Sequence, residues 1–214
     1  MELANGEIRE GVLLIRATDA EQVKIEISSF RADPLLRVVI IDIGVQKSPA
    51  AFDRQLCDLI VNFPVPVIAA AEGLIKGWTL GVVLESHICY AAETAVFDFD
   101  GCGTGRWSAC IDNNRRPDGV VLTATQMIAL GELNGPRNPN RAITQAAGTA
   151  YRISQMAPLA IRACLGAAKC YQKDPIEKGL ATEALLFSEL FETEDMRRGT
   201  AAFLQKPEPV FEGN

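Results

Sequence analysis

Residues 36 to 44, LRVVIIDIG, are a nearly unbroken β-branched run closed by glycine. Such a run has almost no polar face, so it predicts a strand buried on both sides, the kind that parallel sheets use. A second run, VPVIAAAEG, spans 65 to 73. Between them, SPAAFDRQLCDLIVNF (48–63) has apolar residues at 52, 56, 59, 60 and 63, a helical stripe, with Ser48 as N-cap and Pro49 at N1. Strand, helix and strand in that order predict parallel strands joined by a crossover helix.

The pattern extends in both directions. EGVLLIRA (10–17) is a short β-rich run. AEQVKIEISSF (20–30) has apolar residues at 23, 25 and 27 and fits strand or helix. Residues 77 to 86 form a mostly apolar helix, and HICYAAETAVFDFD (87–100) forms one or two strands. Residues 101–118 and 134–141 are rich in glycine, proline and asparagine and predict loops.

After 119 the strand signals stop. GVVLTATQMIALGEL, AITQAAGTAYRISQMA, PLAIRACLGAAKCYQ and DPIEKGLATEALLFSELF predict consecutive helices. Asp174 as N-cap, Pro175 at N1 and Glu177 at N3 open the last of these. Thr193 caps a further short helix with acids in its first turn. The chain thus divides into an α/β part, 1–118, and a helical part, 119–214, within one structural unit.

Composition narrows the function. The 214 residues carry a formal net charge of −6, which argues against a nucleic-acid partner. The Arg115–Arg116 and Arg197–Arg198 pairs are too small to alter that. The six cysteines include no C-x-x-C pair and there is one histidine, so no metal site is expected. Cys57, Cys89 and Cys164 read as small core residues. FPVPVIAAA falls well short of the ~20 residues a membrane span needs. The opening MELANGEIRE lacks a secretory pattern, so a reducing cytoplasm is the expected compartment.

Chemistry concentrates in GLIKGWTLGVVLES, where Gly73, Gly77 and Gly81 lie four apart at a strand-to-helix turn. A helix N-terminus presents unpaired N–H groups, and glycines let a carbonyl oxygen approach them. The alternative is that the glycines only permit tight packing of helix on strand. FDFDG sets Asp98 and Asp100 on one side of a strand and Phe97 and Phe99 on the other. Either the carboxylates work as acid or base in a dry pocket, or they end the strand toward water. His87 is either a proton carrier or hydrogen-bonded packing. No serine or cysteine triad is supported.

PVIAAAEGLIKGWTLGVVLESHICYAAETAVFDF resembles the signature of the crotonase, or enoyl-CoA hydratase/isomerase, superfamily. APLAIRACLGAAK and LFSELFETEDMRRGTAAFLQKPEPVFEG resemble that family's tail, and LRVVIIDI fits one of its strands. The resemblance covers about 36–100 and 150–213. It implies an α/β fold with a ββα spiral core and a C-terminal helical trimerisation region, assembling as a homotrimer or hexamer. It implies a coenzyme A or acyl-carrier-protein thioester as substrate, with no further cofactor. The thioester oxygen would sit in an oxyanion hole formed at Gly77 and Trp78, the donor being the Trp78 N–H. Lys206 matches a lysine near the coenzyme A phosphates.

The departures are specific. Gly81 stands at the first hydratase glutamate and Gly101 at the second, with only Asp100 acidic nearby. VQKSPAAF replaces the loop that carries the other oxyanion donor. Hydration is therefore not expected. Decarboxylation or isomerisation, with Asp100 or His87 moving the proton, remains open, as in members working in polyketide or other secondary pathways. A non-catalytic subunit scaffolding an active partner is the alternative.

Overall fold

Strand β2 (Val12–Arg16) pairs in parallel with β3 (Val38–Ile43), β3 with β4 (Val67–Ala71), and β4 with β6 (Ile88–Ala91). The short β1 (Ile8–Arg9) adds an antiparallel edge. In the centre of this sheet both faces are covered. Val39 and Ile41 on one side, and Val38 and Ile40 on the other, are all fully buried. The computed structural model describes residues 3–44, 51–100, 120–134, 142–206 and 208–214. Ser48, Pro49, Gly101 and nearly all of both expected loops lie outside these residues.

A smaller sheet lies beside the first in sequence. Its order is β5 (Leu74–Lys76), β7 (Val96–Asp98), β8 (Val121–Thr123), with β5 and β7 parallel and β7 and β8 antiparallel. The chain therefore gives one strand to each sheet before the helix α3 (Trp78–Glu85), and again after it.

Residues 20–30 are settled as helix α1 (Ala20–Ser29). Val23 and Ile27 are buried while Ile25 is exposed, which is a spacing of four rather than two. Helix α2 (Arg54–Val61) starts five residues later than the Ser48 cap predicted. The Asp53 carboxylate accepts from Leu56 N–H at 2.9 Å and pairs with Lys24 at 3.0 Å, so this cap defines the end. Burial alone would raise the Asp53 carboxyl, but the backbone N–H groups and the Lys24 ammonium hold it below its ordinary value.

The expectation of helices alone after 119 is corrected by β8, whose Leu122 lies opposite Phe97. Thr123 ends that strand and caps α4 (Ala124–Ala129) through a capping box with Gln126. Helix α5 (Ala142–Ser154) buries Ala142, Ala146 and Ala150, and Thr149 shares a 3.0 Å hydrogen bond with Tyr90 of β6.

The residues fall into two compact units, Met1–Ala150 and Tyr151–Asn214. The second holds α6 (Pro158–Lys173), α7 (Ile176–Leu190) and α8 (Glu194–Gln205). Asp174 ends α6 rather than capping α7; its carboxylate takes the Lys178 ammonium at 2.7 Å. Thr193 caps α8 as expected. Asp195, 2% exposed, accepts from Glu212 N–H at 2.9 Å and Gly213 N–H at 2.8 Å, folding residues 208–214 back onto the start of α8. Cys57 and Cys89 are core residues, and burial pushes the Cys89 thiol far up; Cys164 is exposed, against expectation.

Candidate functional site

The turn between β5 and α3 is built by three adjacent residues. Gly77 is the N-cap at φ +59° and ψ −126°, close to the first central position of a type II′ turn, where glycine is the ordinary occupant. Trp78 is the first helical residue. Thr79, 2% exposed, closes the turn: its hydroxyl donates to Lys76 C=O at 2.8 Å and accepts from Lys76 N–H at 3.0 Å. The next N–H bonded within the helix is that of Gly81, which reaches back to Gly77 C=O. Among the described residues nothing accepts from the Trp78 N–H, which sits at the positive end of the helix dipole. The indole does not fill this turn from outside. It is 3% exposed and belongs to the core cluster with Ile75, Leu80 and Phe97.

The β5–β7 register sets Lys76 opposite Asp98. The Lys76 ammonium donates to Asp98 Oδ2 at 3.0 Å and lies 3.6 Å from Asp100 Oδ2. Asp98 Oδ1 accepts from Asp100 N–H at 3.0 Å. The Asp98 carboxyl is held below its ordinary value, first by that N–H and then by Lys76, with burial opposing. The Lys76 ammonium is held above its own by Asp98. Phe97 and Phe99 are fully buried, so the alternation read from FDFD is as expected. Asp100 is mostly exposed and leads from β7 into Gly101.

The structure thus brings Gly77, Trp78 and the Asp98–Asp100 pair to one region, through Lys76. It does not bring His87 there. His87 follows the far end of α3, about 12 Å of helix axis from Trp78. Its Nδ1 accepts from Val67 N–H at 3.0 Å and its own N–H donates to Val67 C=O, so the ring secures the first residue of β4. Lys206 ends α8 in the second unit, exposed, in the left-handed conformation. The sequence assigns no role to Lys76 or to the Thr79 hydroxyl, although both lie within the glycine segment. The cation directly before Gly77 was the available signal.

Gly81 is constrained by space. A Cβ there would lie 2.7 Å from Cys57 Sγ and 3.0 Å from Phe52 Cε2. Among the described residues no group of three His, Cys, Asp or Glu side chains could hold a metal ion. Among the described residues no helix is long and apolar enough to cross a membrane.

No family model matches the chain. It is 28% identical over 174 residues to a probable enoyl-CoA hydratase of Bacillus subtilis, covering 75% of this chain and 67% of that one. It is 27% identical over 190 residues to methylmalonyl-CoA decarboxylase of Escherichia coli, covering 78% and 71%. Among solved structures, an enoyl-CoA hydratase from Mycobacterium tuberculosis superposes with a TM-score of 0.80 at 20% identity, covering 97% of this chain and 98% of that one. One from Polaromonas superposes at 0.79 and 20%, covering 96% and 98%. The alternation of strands between two sheets, the glycine turn opening α3, and these likenesses agree: the chain has the crotonase fold and is similar in sequence to members of the enoyl-CoA hydratase/isomerase, or crotonase, superfamily.

Proposed function

We propose that this chain binds an acyl thioester of coenzyme A or of an acyl carrier protein, with the thioester oxygen at the Trp78 N–H, and stabilises the enolate formed at its α-carbon. The observation that carries this reading is the Gly77–Trp78 turn. Gly77 holds a conformation suited to glycine, Thr79 fixes the turn on both sides, and the Trp78 N–H has no acceptor among the described residues. A donor fixed before charge develops costs no reorganisation during the reaction and is worth about 3–4 kcal/mol.

Asp100 is the proposed proton carrier, held beside the turn by Asp98 and Lys76. Two reactions suit the arrangement. In decarboxylation, the bond between the α-carbon and the substrate carboxylate breaks, its electron pair enters the enolate, carbon dioxide leaves, and a proton closes the α-carbon. In isomerisation, one acid takes a proton from the substrate and returns it to another carbon. Hydration lacks a water-activating carboxylate at Gly81, and the same loss favours a place in a polyketide or other secondary pathway. Lys206 is the proposed partner of the coenzyme A phosphates, and a homotrimer or hexamer the proposed assembly.

Calorimetry with butyryl-CoA tests binding, and turnover of a panel of malonyl-type and enoyl thioesters tests chemistry. Asp100→Asn should keep both fold and binding and lose turnover by about 100-fold or more. Unchanged turnover would remove Asp100 from the mechanism. A wild-type protein that binds no thioester would be a non-catalytic subunit instead.

A further inference from the structure

Helix α2 meets α3 at Gly81. With Asp53 as N-cap, Phe52 and Cys57 occupy the two positions that flank the first turn of α2. Both converge on one point. A Cβ at residue 81 would stand 2.7 Å from Cys57 Sγ and 3.0 Å from Phe52 Cε2. The first distance is shorter than any ordinary carbon–sulfur contact. Neither atom is the end of a long, flexible side chain: Cys57 is buried, and the Phe52 ring turns as a rigid body. The start of α2 is itself tied to α1, through the 3.0 Å pair of Asp53 with Lys24. The wall facing Gly81 therefore has little freedom to retreat.

We propose that Phe52 and Cys57 determine specificity: they fill the space that a side chain at position 81 would need, one helical turn from the Trp78 N–H, and so close the site to hydration. This rests on the acyl-thioester reading above. The loss of the acid at position 81 is then not a single reversible substitution. The Cys57 thiol of α2 and the Phe52 ring just before that helix occupy the space such a side chain would need. Enolate chemistry at the turn needs no group there.

Three proteins test the proposal: wild type, Gly81→Glu, and Gly81→Glu combined with Phe52→Ala and Cys57→Gly. Each is measured by thermal unfolding, by calorimetry with butyryl-CoA, and by loss of enoyl absorbance with crotonyl-CoA as probe. Gly81→Glu alone should unfold about 5 °C or more below wild type and hydrate no crotonyl-CoA. The triple variant should recover part of that loss and hydrate at least tenfold faster than the single variant. Gly81→Glu with wild-type unfolding would overturn the proposal, as would a folded triple variant with no gain in hydration. A milder pair, Gly81→Ala with and without Cys57→Ala, reads the same clash if the triple variant does not fold. Equal losses with and without Cys57 would also overturn it. Failure of the wild type to bind butyryl-CoA would remove the thioester reading and this inference together, whereas binding with no effect of the wall would remove this inference alone.

Discussion

At φ +59° and ψ −126°, Gly77 holds a backbone conformation that a Cβ resists. Gly77→Ala should cost about 1–3 kcal/mol of stability, read as a lower urea midpoint, and should weaken thioester binding because the strain is relieved by moving the turn. A variant with both properties unchanged would mean that the turn is not held as described. Gly81 lies four residues on and is constrained differently. Its backbone is helical, and what forbids a side chain is the Cys57 thiol of α2 and the Phe52 ring just before that helix. The two glycines look alike in the sequence, yet one serves the backbone's angles and the other the approach of a neighbouring helix.

The β5–β7 pair joins the turn to its acids. A depressed native pKa means that folded Asp98 resists protonation. Its contribution is fully present above the ordinary value of 3.8 and is lost as the pH falls through the native one. Asp98→Asn should therefore unfold below wild type at pH 7, and the gap should close below about pH 4. A gap of constant size would show that the Lys76 and Asp100 bonds do not depend on the charge. The elements themselves were legible to unequal degrees. The buried strands and the FDFD alternation were plain, because continuous or alternating apolar runs have few other uses. Residues 20–30 were ambiguous because Val23, Ile25 and Ile27 satisfy both periods until Ile25 is seen exposed. Strand β8 was hidden because three residues carry no period, and its partner is some 25 residues away along the chain. The Lys76–Asp98 pair and the wall at Gly81 depend on strand register and helix approach, which local sequence does not encode.

In the second unit the sequence–structure relation turns outward. Phe187, Phe191, Phe203 and Leu204 are large, apolar and mostly exposed, Phe203 at 86%. A monomer seldom leaves such a set in water. The wild type should sediment as a trimer or hexamer, and Phe203→Asp with Leu204→Asp should shift it toward monomer; a folded wild-type monomer would refute the assembly. The proposed enolate chemistry turns on one backbone donor. Proline fits the first position of a helix but has no N–H, while phenylalanine keeps both the donor and an aromatic ring. The most direct measurement is calorimetric titration of butyryl-CoA into Trp78→Pro and Trp78→Phe, each confirmed folded. Trp78→Phe should bind within a few-fold of wild type and Trp78→Pro at least tenfold more weakly. Equal affinity in the two variants would contradict the placement of the thioester oxygen at the Trp78 N–H.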